Sequence, residues 1–139
     1  MDFAGISYLA IFLAAVASFA FGSVYYMSLA KPWMAALGKT EAEIKGEGGP
    51  SPLPFIIAGV SQLVMAFMLA GVIGHLGQGQ VTIWNGLVSG FSCWLGFVIT
   101  TMAVNHAFQG ASRALTVIDG GHWLGVLLVQ GLVIGLIGV

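Results

Sequence analysis

The chain of 139 residues is 58% hydrophobic and only 6% charged, with a formal net charge of −1, whereas a soluble domain carries about a quarter charged residues. No Asp, Glu, Lys or Arg occurs from Gly48 to Ser112, so the chain reads as an integral membrane protein whose first partner is the lipid bilayer. Its 4 basic residues leave no electrostatic footprint for nucleic acid, and its 1 cysteine, Cys93, excludes an intrachain disulfide and a cysteine-based metal site.

A stretch of about 20 apolar residues crosses the hydrocarbon core. Counting such stretches between turn signals predicts a single all-α bundle of four transmembrane helices, at about 4–30, 54–76, 81–107 and 115–138. The first uncharged run, residues 3–30, is about 42 Å long if wholly helical, so it tilts or ends in the headgroup region. It is too long for a removed signal peptide, whose apolar part is about 7–15 residues, and is expected to stay as an anchor. Ala10, Ala14, Ser18 and Gly22 recur every four residues and make a small-residue face for close helix packing. Tyr25 and Tyr26 suit an interfacial belt.

Lys31-Pro32 is expected to stop this helix, because proline lacks a donor and disfavours helix in the residue before it. Pro32 then opens a short interfacial helix, Trp33 to Leu37, ending at Gly38. Thr40 and Glu43 have capping-box spacing and predict another turn or two before Gly46. The loop 31–53 is the sizeable water-exposed part, and its Glu and Lys residues read as a solvated face.

The second segment runs from about Pro54 to His75, and Gly77 to Gln80 is a tight connection. The third carries Gly86 and Gly90 as a packing face, with Cys93 and Phe97 close to the same side. Two starts are open for the fourth. A start near Ser112 places Asp119 two turns inside as a buried acid; a start at Asp119 makes it an N-cap at the positive end of the helix. A cap, or a site near the interface, is the preferred reading of Asp119. Gly121/Gly125 and Gly131/Gly135 are further packing faces, and Gln62 and Gln130 are expected to bond across helices rather than line a passage.

Lys31, Lys39 and Lys45 share one loop and Arg113 occupies the other loop of the same side. By the positive-inside rule both loops face the cytoplasm and both termini face outward. The ends of segments one and three and the start of segment four then lie at similar depth, so Tyr25, Tyr26, Asn105, His106, Asp119 and His122 can converge, with all but Tyr25 as the expected polar site. Asp119 and His122 are three residues apart and share a helix face; an acid beside an imidazole can relay protons. The histidine spacings match no short zinc signature, and no nucleophile elbow or phosphate loop occurs. Neither a metal, nor another cofactor, nor an enzyme activity is expected.

On the stretch FGSVYYMSLAKPWMAALG, positions 21–38, and the run from Asn105 to Gly121 with Gly110, Ser112, Leu115, Ile118 and Asp119, the chain resembles the bacterial family called domain of unknown function 1761. The similarity covers most of the chain. It departs at Tyr25, where the family pattern leads one to expect tryptophan. The resemblance implies a small four-span protein of the bacterial inner membrane; it brings no catalytic residue, but it directs attention to Tyr26, Lys31, Trp33, Asn105 and Asp119. Two functions follow as expectations. One is an oligomeric transporter or channel with its polar site at the cytoplasmic ends of helices 1, 3 and 4. The other is an accessory or structural subunit of a larger membrane complex, docked through the Ala10-Ala14-Ser18-Gly22 or the Gly121-Gly125 face. Several small-residue faces in one small bundle favour a homo-oligomer or a place in such a complex.

Overall fold

The computed structural model describes residues 3–138, and the described residues form helices and connections without strands. Four helices are long and apolar enough to cross a membrane: Tyr8–Ser28, Leu53–Gly74, Ile83–Gln109 and Arg113–Ile137. They mark a multi-pass membrane protein.

The first helix, α1 (Tyr8–Ser28), begins four residues later than the hydropathy predicts. Ala4 and Gly5 both adopt positive φ, which breaks the helix, and the Ser7 hydroxyl accepts the Ala10 N–H at 3.1 Å as N-cap. The stop also comes earlier than Lys31. Pro32 has no N–H to offer the Ser28 carbonyl and its ring would crowd that carbonyl, so the break falls at Leu29, with φ −108° and ψ 19°. The next helix, α2 (Ala30–Leu37), therefore carries Pro32 in its first turn and ends on Gly38 in the left-handed region, φ 73°. A single turn, α3 (Glu41–Lys45), follows. Thr40 accepts the Glu43 N–H and its hydroxyl donates back to the Glu43 carboxylate, a variant of the expected capping box. Lys45 pairs with Glu41 at 2.7 Å and holds that carboxyl below its usual range through the hydrogen bond and its charge. The pair is exposed and adds little to stability.

The second span is α4 (Leu53–Gly74). The third consists of α5 (Ile83–Cys93), a π-helical turn from Trp94 to Val98, and α6 (Ile99–Gln109). In that turn the Ile99 N–H reaches back to the Trp94 carbonyl, so one residue is added to the helical repeat. The addition rotates the rest of the span: Cys93 stays packed on the core, whereas Phe97, expected near the glycine face, is 74% exposed.

The fourth span, α7 (Arg113–Ile137), is capped by Ser112, whose hydroxyl accepts the Leu115 N–H at 3.2 Å. This overturns the reading of Asp119 as N-cap. Ser112 is the better cap because it stands in extended backbone, φ −65° and ψ 149°, two residues after the left-handed Gly110 that ends α6, and Asp119 lies about 10 Å further along the helix.

α7 is the axis of the molecule, with α1, α4 and α5 packed against it. It runs antiparallel to α1: the Ser7 N–H meets the Gly138 carbonyl, and Tyr26 meets Asp119 at the other end. Ser7 and Gly138, near the ends of the described residues, thus lie together. At the opposite end the Ser112 hydroxyl donates to the Ala36 carbonyl at 2.7 Å, joining the two loops that carry the basic residues.

The core joins Ala10 and Ala14 of α1, Ala66, Leu69, Ala70 and Ile73 of α4, and Leu127 and Ile134 of α7. At its centre Ser18 donates to the Gln62 side chain at 2.8 Å, while the Gln130 amide donates to Ser18 at 3.0 Å and to the Gln62 carbonyl at 2.9 Å. These bonds tie three helices together, as buried glutamines do in lipid.

The small residues permit these distances. A β-carbon on Gly86 would strike the Gly131 carbonyl, one on Gly131 the Gly86 carbonyl, one on Gly90 the Leu127 carbonyl and one on Gly135 the Thr82 carbonyl. α5 and α7 therefore cross backbone to backbone. Gly121 and Gly125 receive the Tyr25 and Phe21 rings of α1. All the faces expected to bind partners are consequently occupied within the chain, and the argument from spare small-residue faces to an oligomer does not hold.

Candidate functional site

The last two turns of α1 and the first three of α7 face each other because the helices are antiparallel and the glycines of α7 admit aromatic rings. Residues spaced by four on α1, Phe21 with Tyr25 and Gly22 with Tyr26, share its inner face. The Tyr25 hydroxyl donates to the Ile118 carbonyl at 2.7 Å and the Tyr26 hydroxyl to Asp119 Oδ1 at 2.7 Å. Trp94, at the start of the π-helical turn, donates its indole N–H to the Gly120 carbonyl at 2.8 Å.

His122 is 5% exposed and sits among aromatic rings. Tyr26 and Trp123 approach its ring centre to 4.7 and 4.6 Å, Tyr25 lies at 5.7 Å, and Phe21 is nearly parallel at 6.4 Å. Its edge rests on Gly22, where a β-carbon would come within 2.6 Å of Nε2. Gly22 is thus the seat of the imidazole. Among the described residues His122 Nδ1 has no hydrogen-bond partner. Trp33 closes the outer side with its ring 5.8 Å from Tyr26.

Tyr26, Asp119 and His122 therefore meet. Asn105 and His106 do not join them. They lie on α6 with His106 Nδ1 held 2.8 Å from the Thr116 hydroxyl, and they line a separate groove of about 520 Å³. Its other walls include Ser61 and Met65 of α4, Thr101 and Gln109 of α6, and Trp123 of α7. Asn105 stands on the exposed side of α6. Trp123 belongs to both places, touching His122 and lining the groove.

Tyr25, one of the residues expected to converge here, does lie against His122. Phe21, Gly22 and Trp123 also shape its surroundings, and the sequence offers Gly22 only as part of a packing face. The available signal was the antiparallel pairing of the ends of α1 and α7, which hydropathy does not supply.

An acid held by a phenol beside an imidazole can accept and pass on a proton, or bind a cation in transit. The groove presents amides, two hydroxyls and an imidazole, with no Lys, Arg, Asp or Glu among its walls.

A family model described as Protein of unknown function (DUF1761) matches residues 9–135. No curated protein and no solved structure matches the chain.

Proposed function

The chain belongs to the DUF1761 family, and we propose that it works as a small transporter or channel of the bacterial inner membrane, with Tyr26, Asp119 and His122 as its polar site. The observation that carries this reading is the situation of Asp119. It is the sole Asp or Glu in the four spans, and its hydrogen-bond partner is the neutral Tyr26 hydroxyl. An ionisable group at membrane depth without a counter-ion is expensive, and such groups persist where a proton or ion must bind. Ser18, Ile73, Val126, Gln130 and Ile134 fill the middle of the bundle, which favours passage between copies over passage through one, so a homo-oligomer is part of the proposal. The basic loops joined by Ser112 and Ala36 face the cytoplasm, and the termini face outward.

Reconstituted in proteoliposomes, the protein is expected to pass protons or small cations, and Asp119→Asn to reduce that flux by at least about tenfold, the loss of about 1.4 kcal/mol at a barrier, with assembly unchanged by native mass spectrometry. Unchanged flux in the variant rejects Asp119 as the site.

One observation supports a second reading, an accessory subunit. In the third span 6% of the apolar window is buried, against 33–39% in the other three, leaving a broad side of α5 and α6 for another protein. A foreign polypeptide in constant ratio with the purified chain, together with no flux from the chain alone, would establish this reading over the first.

A further inference from the structure

We infer that the groove between α4 and α6 is a binding site for an uncharged amphiphile with a hydrogen-bonding head, taken laterally from the bilayer. This goes beyond the Asp119 reading and does not depend on it. The groove runs from Gln109 at the loop end to Phe97, about 18 Å along the helix, which is about the middle of the 27-residue third span. Its volume, about 520 Å³, falls in the range of small-molecule sites.

Its two ends differ in chemistry. Toward the loop, Asn105 and Gln109 are exposed beside His106, whose Nδ1 is held by Thr116. Further along the span, Phe97, Val98, Met65 and Met102 make the lining apolar. A molecule with carbonyl or hydroxyl oxygens on a short apolar tail matches this order. Charged heads do not: no Lys, Arg, Asp or Glu lines the groove, and a desolvated charge there would be left unpaired. Entry is from the side, because Phe97, Thr101, Asn105 and Gln109 are all on the outer surface of the bundle. A polar head beside the Asn105 and Gln109 amides, near the loop end of α6, gives them hydrogen-bond partners while its tail lies along the apolar part of the groove.

The test is native mass spectrometry of the full chain released from nanodiscs loaded with decylubiquinone or monodecanoylglycerol, with decyl phosphate as charged control. Wild type is expected to retain one neutral molecule per chain and no decyl phosphate. Asn105→Ala with Gln109→Ala removes two head contacts and is expected to weaken retention about tenfold, and Ser61→Phe, which fills the groove, to abolish it. Val104→Ala, on a lipid-facing side chain 55% exposed, leaves it unchanged. Circular dichroism checks that each variant keeps its helix content. Failure of wild type to hold either neutral probe, equal retention by the groove variants, or equal uptake of decyl phosphate overturns the inference. So does a changed subunit number in Ser61→Phe with no change in probe binding, which would make the groove a contact between chains. None of these readings involves flux, so failure here leaves the Asp119 proposal standing.

Discussion

Tyr25 and Tyr26 are neighbours with the same hydroxyl, yet their bonds differ in kind. Tyr26 donates to a carboxyl group, Tyr25 to a helix carbonyl that already belongs to the backbone ladder of α7. Removing a bond to an ionisable group costs about 1.5–3 kcal/mol, and removing one to a shared carbonyl about 1 kcal/mol or less. Tyr26→Phe is therefore expected to lower unfolding stability in detergent more than Tyr25→Phe does; equal effects would show that Asp119 gains nothing special from its phenol. Gln130 offers a second check at this scale. Gln130→Leu conserves bulk but breaks both the Ser18 and the Gln62 bonds, and about 1 kcal/mol should be lost, since interhelical bonds in membranes are individually modest. That Gln130 Oε1 has no partner among the described residues makes a larger loss less expected still.

Among elements, the α5–α7 crossing rests on glycine. Gly86 and Gly131 bring two backbones together, and any side chain at either position must push the helices apart. Gly131→Val is expected to cost about 1–3 kcal/mol through overpacking and to separate α5 from α7, measurable by denaturant titration and by a spin-label distance between the two helices. Gly59 in α4 is the contrasting case: a β-carbon there meets nothing within 4 Å. Gly59→Ala should be neutral or stabilise by up to about 1 kcal/mol through helix propensity. If both substitutions behave alike, packing does not decide the tolerance of these glycines. The sequence spacing showed that these faces pack, but two-fold ambiguity remained about whether they pack inside the chain or against another. Only the positions of α1 and α5 around α7 resolve it, because a glycine face is equally complementary to any close helix.

At the scale of the whole molecule, the buried faces of α1, α4 and α7 account for the core, and the third span stands largely outside it. Most of the 31 exposed large hydrophobic side chains among the described residues lie on the four spans, where they would be a liability in water but a bilayer is their proper solvent. The polar groove on α6 and the acid on α7 are the features that lipid does not explain. They lie on different sides of α7 with Trp123 between them, so a site expected as one polar cluster is two, and the flux and ligand experiments address them separately.

Composition and the uncharged run from Gly48 to Ser112 were enough to establish a helical four-span membrane protein, because the energy of placing charges and unpaired backbone in hydrocarbon permits little else. The prolines, glycines and capping residues placed most helix ends within a few residues, since those signals act locally on the backbone. Where Asp119 stands was not decided locally: Ser112 and Asp119 are both competent caps, and the choice went to Ser112 through the left-handed Gly110 before it and the Ala36 carbonyl across from it. The separation of Asn105 and His106 from Tyr26 and His122 was likewise beyond periodicity, because it depends on how α6 sits against α4 and α7 and not on spacing along the chain. Tertiary structure alone pairs α1 with α7 head to tail, and that pairing builds the aromatic seat of His122.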